Sequence, residues 1–152
     1  MRARGSGRII NVSSLVGRVS FGFMGIYGAT KYAVEAISDA LRLELRGFGI
    51  TVVLIEPGFV ATNLGSAADA ESGRGPVPPA YQELAETGTR YLARQLAKGI
   101  PAGQVAATIA NAAESRNPRT RYVVPGTVRP LIAMLTALPD KAADKAKLRA
   151  TR

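Results

Sequence analysis

The run Ile50-Thr51-Val52-Val53-Leu54-Ile55 is nearly continuous apolar and stops at Pro57-Gly58. A strand that is apolar on both sides has to be covered on both sides, the pattern of a parallel strand between layers of helices. A second short run, Arg8-Ile9-Ile10-Asn11-Val12-Ser13-Ser14, is β-branched, ends in hydroxyls and leads to Gly17, so it reads as a strand entering a loop. Residues 27–48 between them read as a helix. Val34, Ile37, Leu41, Leu45 and Phe48 fall at spacings of three and four, and Ala29, Ala33, Ala36, Ala40 and Leu43 make a second stripe beside them. Glu35, Asp39, Arg42 and Arg46 form the polar stripe, acidic first and basic last, which complements the helix dipole. Strand, helix, strand with a long crossover is a βαβ unit, so the expected class is α/β with a parallel sheet.

Two apolar stripes are more than one sheet face needs to cover, so the 27–48 helix is expected to pack on a second helix as well, making self-association through it the expected quaternary contact. Residues 65–79 are rich in Gly, Ala, Ser and Pro and read as loop, followed by a helix over 80–97. Pro101 is expected in the first turn of a further helix carrying Val105, Ala106, Ile109 and Ala113. Tyr122-Val123-Val124, between Asn117-Pro118 and Pro125-Gly126, reads as a short third strand, and the tail from Val128 as two short helices.

The 152 residues amount to one domain by length. There is no cysteine and no histidine, so thiolate metal sites, disulfides and a histidine base are excluded. Chemistry in this chain must run on Ser, Tyr, Lys, Asp or Glu. The formal charge is +9, from 20 basic and 11 acidic residues, but the basic residues are scattered and form no block, so nucleic acid is not the expected partner. No apolar run approaches the roughly 18 residues needed to span a bilayer. The charged start Met1-Arg2-Ala3-Arg4-Gly5 leads into no apolar core of a secretory signal, and a cytoplasmic protein is expected.

The spacing Tyr27-Gly-Ala-Thr-Lys31 puts a phenol and an ammonium on one helix face. A cation held beside a phenol favours the phenolate, which suits the pair to general acid–base work. Taken alone, the same spacing also describes a boundary tyrosine and a solvated lysine. Its neighbours narrow the choice: Ser14 stands thirteen residues before Tyr27 at a strand end, and Pro57-Gly58 follows thirty residues after it.

Three stretches in this order, Gly7-Arg8-Ile9-Ile10-Asn11-Val12-Ser13-Ser14, Tyr27-Gly28-Ala29-Thr30-Lys31-Tyr32-Ala33 and Ile55-Glu56-Pro57-Gly58-Phe59-Val60-Ala61-Thr62, resemble the short-chain dehydrogenase/reductase family in its single-domain Rossmann form. The resemblance implies an NAD- or NADP-dependent oxidoreductase acting on a small-molecule carbonyl or alcohol. It implies Tyr27 as the proton donor or acceptor, Lys31 as the residue that holds the nicotinamide ribose and tunes Tyr27, and Ser14 as the hydrogen-bonding partner of the substrate oxygen. Ser13 and Ser14 also read as ordinary loop hydroxyls; the spacing to Tyr27 favours Ser14. The resemblance further implies that Pro57, Gly58, Val60 and Thr62 line the nicotinamide, against the simpler reading of a strand-end turn. Phe21, Phe23 and Met24 suggest an apolar wall for substrate, or equally core packing.

A domain of this family runs to roughly 250 residues, still one domain by length. The Gly-rich turn that seats a pyrophosphate between a first strand and helix does not occur in these residues. The chain therefore reads as the C-terminal half of a doubly wound parallel-sheet domain, residues 1–152 forming one partial domain without the dinucleotide-binding half. Met1 to Arg8 looks like the end of the helix and turn before the catalytic strand, from a truncated gene or an internal Met taken as a start. The right edge is similar to the terminus of bacterial relatives of the steroid and retinol dehydrogenases. Inactivity is expected of the 152 residues alone. The competing expectation is a non-catalytic fragment or a helix-mediated interaction piece. NAD and NADP are not distinguished, because the residues that select between them are not in this sequence.

Overall fold

The computed structural model describes residues 1–62 and 76–150. Three parallel strands form the main sheet in the order β1 (Gly7–Val12), β2 (Ile50–Pro57), β5 (Arg121–Val124). A two-stranded parallel pair, β3 (Val60–Ala61) and β4 (Ile100–Pro101), stands beside it. The helices are α1 (Gly25–Leu45), α2 (Gln82–Ala97), α3 (Ala102–Glu114), α4 (Arg129–Ala137) and α5 (Asp140–Ala150). The expected α/β class and the three main strands are thus present.

The long apolar run forms the central strand. Val52, Val53, Leu54 and Ile55 are at most 1% exposed, because neighbours cover both faces and both edges of β2. Burying each such side chain contributes about 1.5–3 kcal/mol relative to leaving it in water. On one face, Val53, Ile55 and Val124 pack with Ala112 of α3, flanked by Ile10, Val105, Ile109 and Tyr122. Arg8, on that same face, donates from Nη1 to the carbonyls of Ala112 and Ala113 at 2.6 Å each and so satisfies the last turn of α3.

The other face meets α1, and here the structure corrects the sequence reading. The two apolar stripes are expected to cover the sheet and a second helix, yet Glu35 of the polar stripe and Ser38 are buried against the sheet, while Ile37 and Leu43 are 57% and 75% exposed. The reason lies in the sheet: its α1 side carries Asn11, Glu56 and Arg121, so the helix meets polar groups with polar groups. Asn11 Nδ2 donates to Ser38 Oγ at 2.9 Å, and that hydroxyl donates to Val34 O at 2.6 Å. The alanine stripe of Ala29, Ala33, Ala36 and Ala40 is exposed, as a surplus apolar face should be.

Element ends differ modestly from expectation. The α-helical geometry of α1 stops at Leu45, and Arg46–Phe48 tighten into a 3-10 turn closed by Gly49, whose φ of 64° is the left-handed conformation that glycine adopts freely. Pro101 caps α3 from an extended conformation, pairing with Ala61, instead of occupying its first turn. Most of the expected 65–79 loop lies outside the described residues. Among the described residues no helix is long and apolar enough to cross a membrane.

Candidate active site

In a parallel sheet flanked by helices, side chains from several segments converge beyond the carboxyl ends of the strands. Ser14 lies two residues past β1 in extended conformation and caps the 3-10 turn Leu15–Gly17. Its hydroxyl donates to Pro57 O at 3.3 Å and accepts from Val16 N–H at 3.4 Å. Both bonds are long, so they are readily exchanged for a better partner. Ser13, by contrast, is buried: its N–H donates to Ile55 O at 2.8 Å and the residue is 3% exposed.

Tyr27 and Lys31 come from the first two turns of α1. The Lys31 ammonium is 5.7 Å from the Tyr27 ring centroid and donates to Val12 O, at the end of β1, at 3.1 Å. Lys31 therefore ties the helix to the strand end while one face of it stays beside the phenol, and Tyr27 itself is 38% exposed. Gly17 makes this approach feasible. A Cβ there would stand 3.0 Å from Lys31 O, 2.8 Å from Ser13 Oγ and 3.2 Å from Glu35 Cγ.

The other predicted residues follow β2. Pro57 is buried at the strand end, and Gly58 N–H donates to Val124 O at 2.8 Å, fastening the turn to β5. Val60 pairs with Ile100 in the small sheet, one element away from the serine, tyrosine and lysine. Thr62 is exposed at the end of the described stretch.

Of the aromatic wall, Phe21 and Met24 are half-buried and Phe23 is 56% exposed. Phe23 adopts φ of 60°, a conformation that costs a non-glycine residue of order 1–3 kcal/mol. Its ring lies against Gly88 of α2, where a Cβ would be 3.5 Å from Cδ2. Phe59 meets Tyr91 of α2 edge to face, with centroids 6.3 Å apart. Two aromatic contacts thus hold α2 against the loops that follow β1 and β2.

Sequence reasoning missed a layer of charge directly beneath these residues. Arg121 of β5 reaches Glu35 Oε2 and Glu56 Oε1 with its Nε, at 3.0 and 3.1 Å, and Asp39 Oδ1 with Nη2 at 2.6 Å. Arg18 Nη1 stands 3.4 Å from Glu56 Oε1, and Arg42 Nη1 is 2.7 Å from Asp39 Oδ1. Burial, reinforced by the neighbouring Glu35, pushes the Glu56 carboxyl above the usual carboxylate range. Burial would also raise Asp39, but hydrogen bonds from Arg42 and Arg121 outweigh it and hold Asp39 low. A signal was available: Glu56 closes an otherwise apolar strand, and a charge in such a place is rarely buried without a partner.

The sequence model described as short chain dehydrogenase matches residues 1–73. The chain is 36% identical over 137 residues to the probable short-chain type dehydrogenase/reductase VdlC of Helicobacter pylori, covering 90% of this chain and 50% of that one. It is 35% identical over 144 residues to the NADPH-dependent 3-dehydrocapnine reductase of Ornithobacterium rhinotracheale, covering 94% and 50%. The chain belongs to the short-chain dehydrogenase/reductase family. Among solved members of the family, a short-chain dehydrogenase/reductase from Burkholderia phymatum in complex with NAD superimposes with a TM-score of 0.68 at 28% identity, over 88% of this chain and 48% of that one. The chain spans about half the length of the curated short-chain dehydrogenases it matches.

Proposed function

We propose that these residues are the catalytic half of an NAD(P)-dependent oxidoreductase that interconverts a carbonyl and an alcohol. One observation carries this reading: Ser14, Tyr27 and Lys31 gather at the carboxyl ends of β1 and β2, with Lys31 beside Tyr27 and anchored on Val12 O.

The donor set suits the nicotinamide end of such a cofactor. Lys31 uses one of its three N–H donors on Val12 O and has others to offer ribose hydroxyls. Pro57, Gly58, Val60 and Thr62 form the stretch against which the nicotinamide would rest. When bound, the cofactor supplies or accepts the hydride. The Tyr27 hydroxyl gives its proton to a carbonyl oxygen during reduction and takes it back during alcohol oxidation. The Ser14 hydroxyl leaves its long bond to Pro57 O and donates to the substrate oxygen, where charge builds up. Removing one such donor costs roughly 10²–10³-fold in kcat in comparable sites. Lys31 stabilises the phenolate that Tyr27 becomes in reduction.

Phe21, Phe23 and Met24, with α2 leaning on Phe23, favour an apolar alcohol or ketone. The exposed Ala29, Ala33, Ala36 and Ala40, with Ile37, favour self-association through α1, and that face also supports the second reading, a helix-mediated interaction piece without turnover. A cytoplasmic location is part of the proposal. The test joins this chain to the dinucleotide-binding half of the Burkholderia phymatum relative and follows absorbance of the reduced nicotinamide with a panel of apolar ketones. Turnover supports the oxidoreductase; a folded assembly that binds NADH or NADPH but reduces none of them, and oxidises none of the matching alcohols, refutes it.

A further inference from the structure

Tyr27, Lys31, Glu35 and Asp39 form one row along α1, each four residues after the last, so that they lie on successive turns of a single face. The upper two are the proposed acid–base pair. The lower two are held by Arg121, through Nε to Glu35 at 3.0 Å and Nη2 to Asp39 at 2.6 Å. Arg121 Nε also faces Glu56 Oε1 at 3.1 Å. Glu56 immediately precedes Pro57, whose carbonyl receives the Ser14 hydroxyl. Arg18, just past the turn that Ser14 caps, reaches the same Glu56 oxygen.

We propose that Arg121 is a positioning residue for the Tyr27–Lys31 pair, fixing the rotation and height of α1 against the strand ends that carry Ser14 and Pro57. The proposal rests on the reading of Tyr27 and Lys31 as the acid–base pair. Its physical basis is that a helix turns as a rigid unit. From Asp39 to Tyr27 is twelve residues, or about 18 Å at 1.5 Å per residue, so a clamp on the lower turns sets where the upper ones point. Three properties suit an arginine to this. Its planar fork engages three carboxylates with a fixed geometry that an ammonium does not impose. Its partners come from two different elements, α1 and β2, while it stands on a third. The clamp on Glu35 is not duplicated: Glu35 Oε1 is buried without a hydrogen-bond partner, so among the described residues Arg121 is what holds this carboxylate, whereas Arg18 shares Glu56 Oε1 and Arg42 shares Asp39 Oδ1.

A residue that merely stabilised the fold would change stability and leave the chemistry of the folded molecules unaltered. A positioning residue lowers kcat in protein that is folded and loaded with cofactor. The experiment uses the chain assembled with a dinucleotide-binding half, with two readouts: kinetics, and the NOE between the Lys31 side chain and Val12 at the end of β1, in selectively ¹³C-labelled protein, which reports the placement of α1 against the strand. Arg121→Ala is expected to lower kcat roughly ten- to a hundredfold and to abolish the NOE. The cofactor KM should rise by a smaller factor than kcat falls, because Lys31 also faces the ribose. Arg121→Lys, which keeps the charge without the fork, should recover part of both. Arg116→Ala, an exposed arginine just after α3, should behave as the parent. Parent kcat and an intact NOE in folded Arg121→Ala would overturn the proposal. If Arg121→Ala does not fold, Glu35→Ala, which removes the contact nearest Lys31, is judged by the same two outcomes. A parent assembly with no turnover refutes the oxidoreductase reading instead, and in that case the NOE alone still decides whether Arg121 holds the pair in place.

Discussion

Gly17 is where a single methyl group should do the most damage. Its φ is not in the left-handed region, so alanine brings no backbone strain there, and the whole effect comes from contact. The new Cβ would lie 2.8 Å from Ser13 Oγ, 3.0 Å from Lys31 O and 3.2 Å from Glu35 Cγ. The serine hydroxyl can rotate away. The Lys31 carbonyl belongs to the backbone of α1 and cannot, so the turn and the helix have to separate by a few tenths of an ångström. Overpacking of this kind costs about 1–3 kcal/mol. For a chain of this size each kcal/mol moves Tm by roughly 2–4 °C, so Gly17→Ala should lower Tm by about 4–8 °C if the cost is near 2 kcal/mol. Gly103, in the first turn of α3, is the internal control: nothing lies within 4 Å of its added Cβ. Gly103→Ala should be neutral or stabilise by up to roughly 1 kcal/mol. Thermal unfolding followed by circular dichroism on the parent and both variants is the assay. Equal Tm values for Gly17→Ala and Gly103→Ala would refute the close approach of the Ser14 turn to α1, and with it the geometry assigned to Lys31.

Three further outcomes are expected. Asp39, held low by Arg42 and Arg121 against its burial, contributes stability above the usual carboxylate range and loses it as pH falls through its lowered value; Glu56, pushed up by burial and Glu35, favours the fold when protonated and loses that contribution as pH rises through its raised value. The Tm of Glu56→Gln relative to the parent should therefore improve steadily from acid to neutral pH, and a difference that does not change with pH would contradict the burial of an ionisable Glu56. Ala36→Glu with Ala40→Glu on the exposed face of α1 should shift the assembled protein toward monomer in light scattering, and an unchanged mass would place the oligomeric contact elsewhere. The 152 residues alone should give no saturable thermal shift with NADH or NADPH at micromolar concentration, since they contain no Gly-rich pyrophosphate turn; a saturable shift would show that this half assembles a cofactor site of its own.

What the sequence made legible was set by hydrophobic pattern and spacing. A run such as 50–55 has few ways to be satisfied other than as a central strand, and the crossover helix between two such strands fixes their parallel sense. The Tyr27–Lys31 interval survives translation into space because helix geometry is regular, and Ser14 stands where a chain leaving β1 must turn. The burial of Glu35 was not legible. On α1 alone it belongs to a charged stripe, and only the register that sets Val123 beside Glu56 and Arg121 beside Leu54 brings a partner for it from eighty-six residues away. Side chains paired over that distance leave no local periodicity to read. The same holds for Arg8, whose carbonyl partners on α3 lie more than a hundred residues on.

The central claim is that Tyr27 moves the proton at the substrate oxygen while Lys31 holds it and the cofactor in place. Steady-state turnover of Tyr27→Phe, measured beside the parent in the assembled protein with cofactor binding followed separately, tests it most directly. The expected result is a loss of roughly 10²–10⁴-fold in kcat with cofactor affinity largely kept, whereas Lys31→Ala impairs both. Tyr27→Phe that folds, binds cofactor and turns over at a rate near the parent's would contradict it.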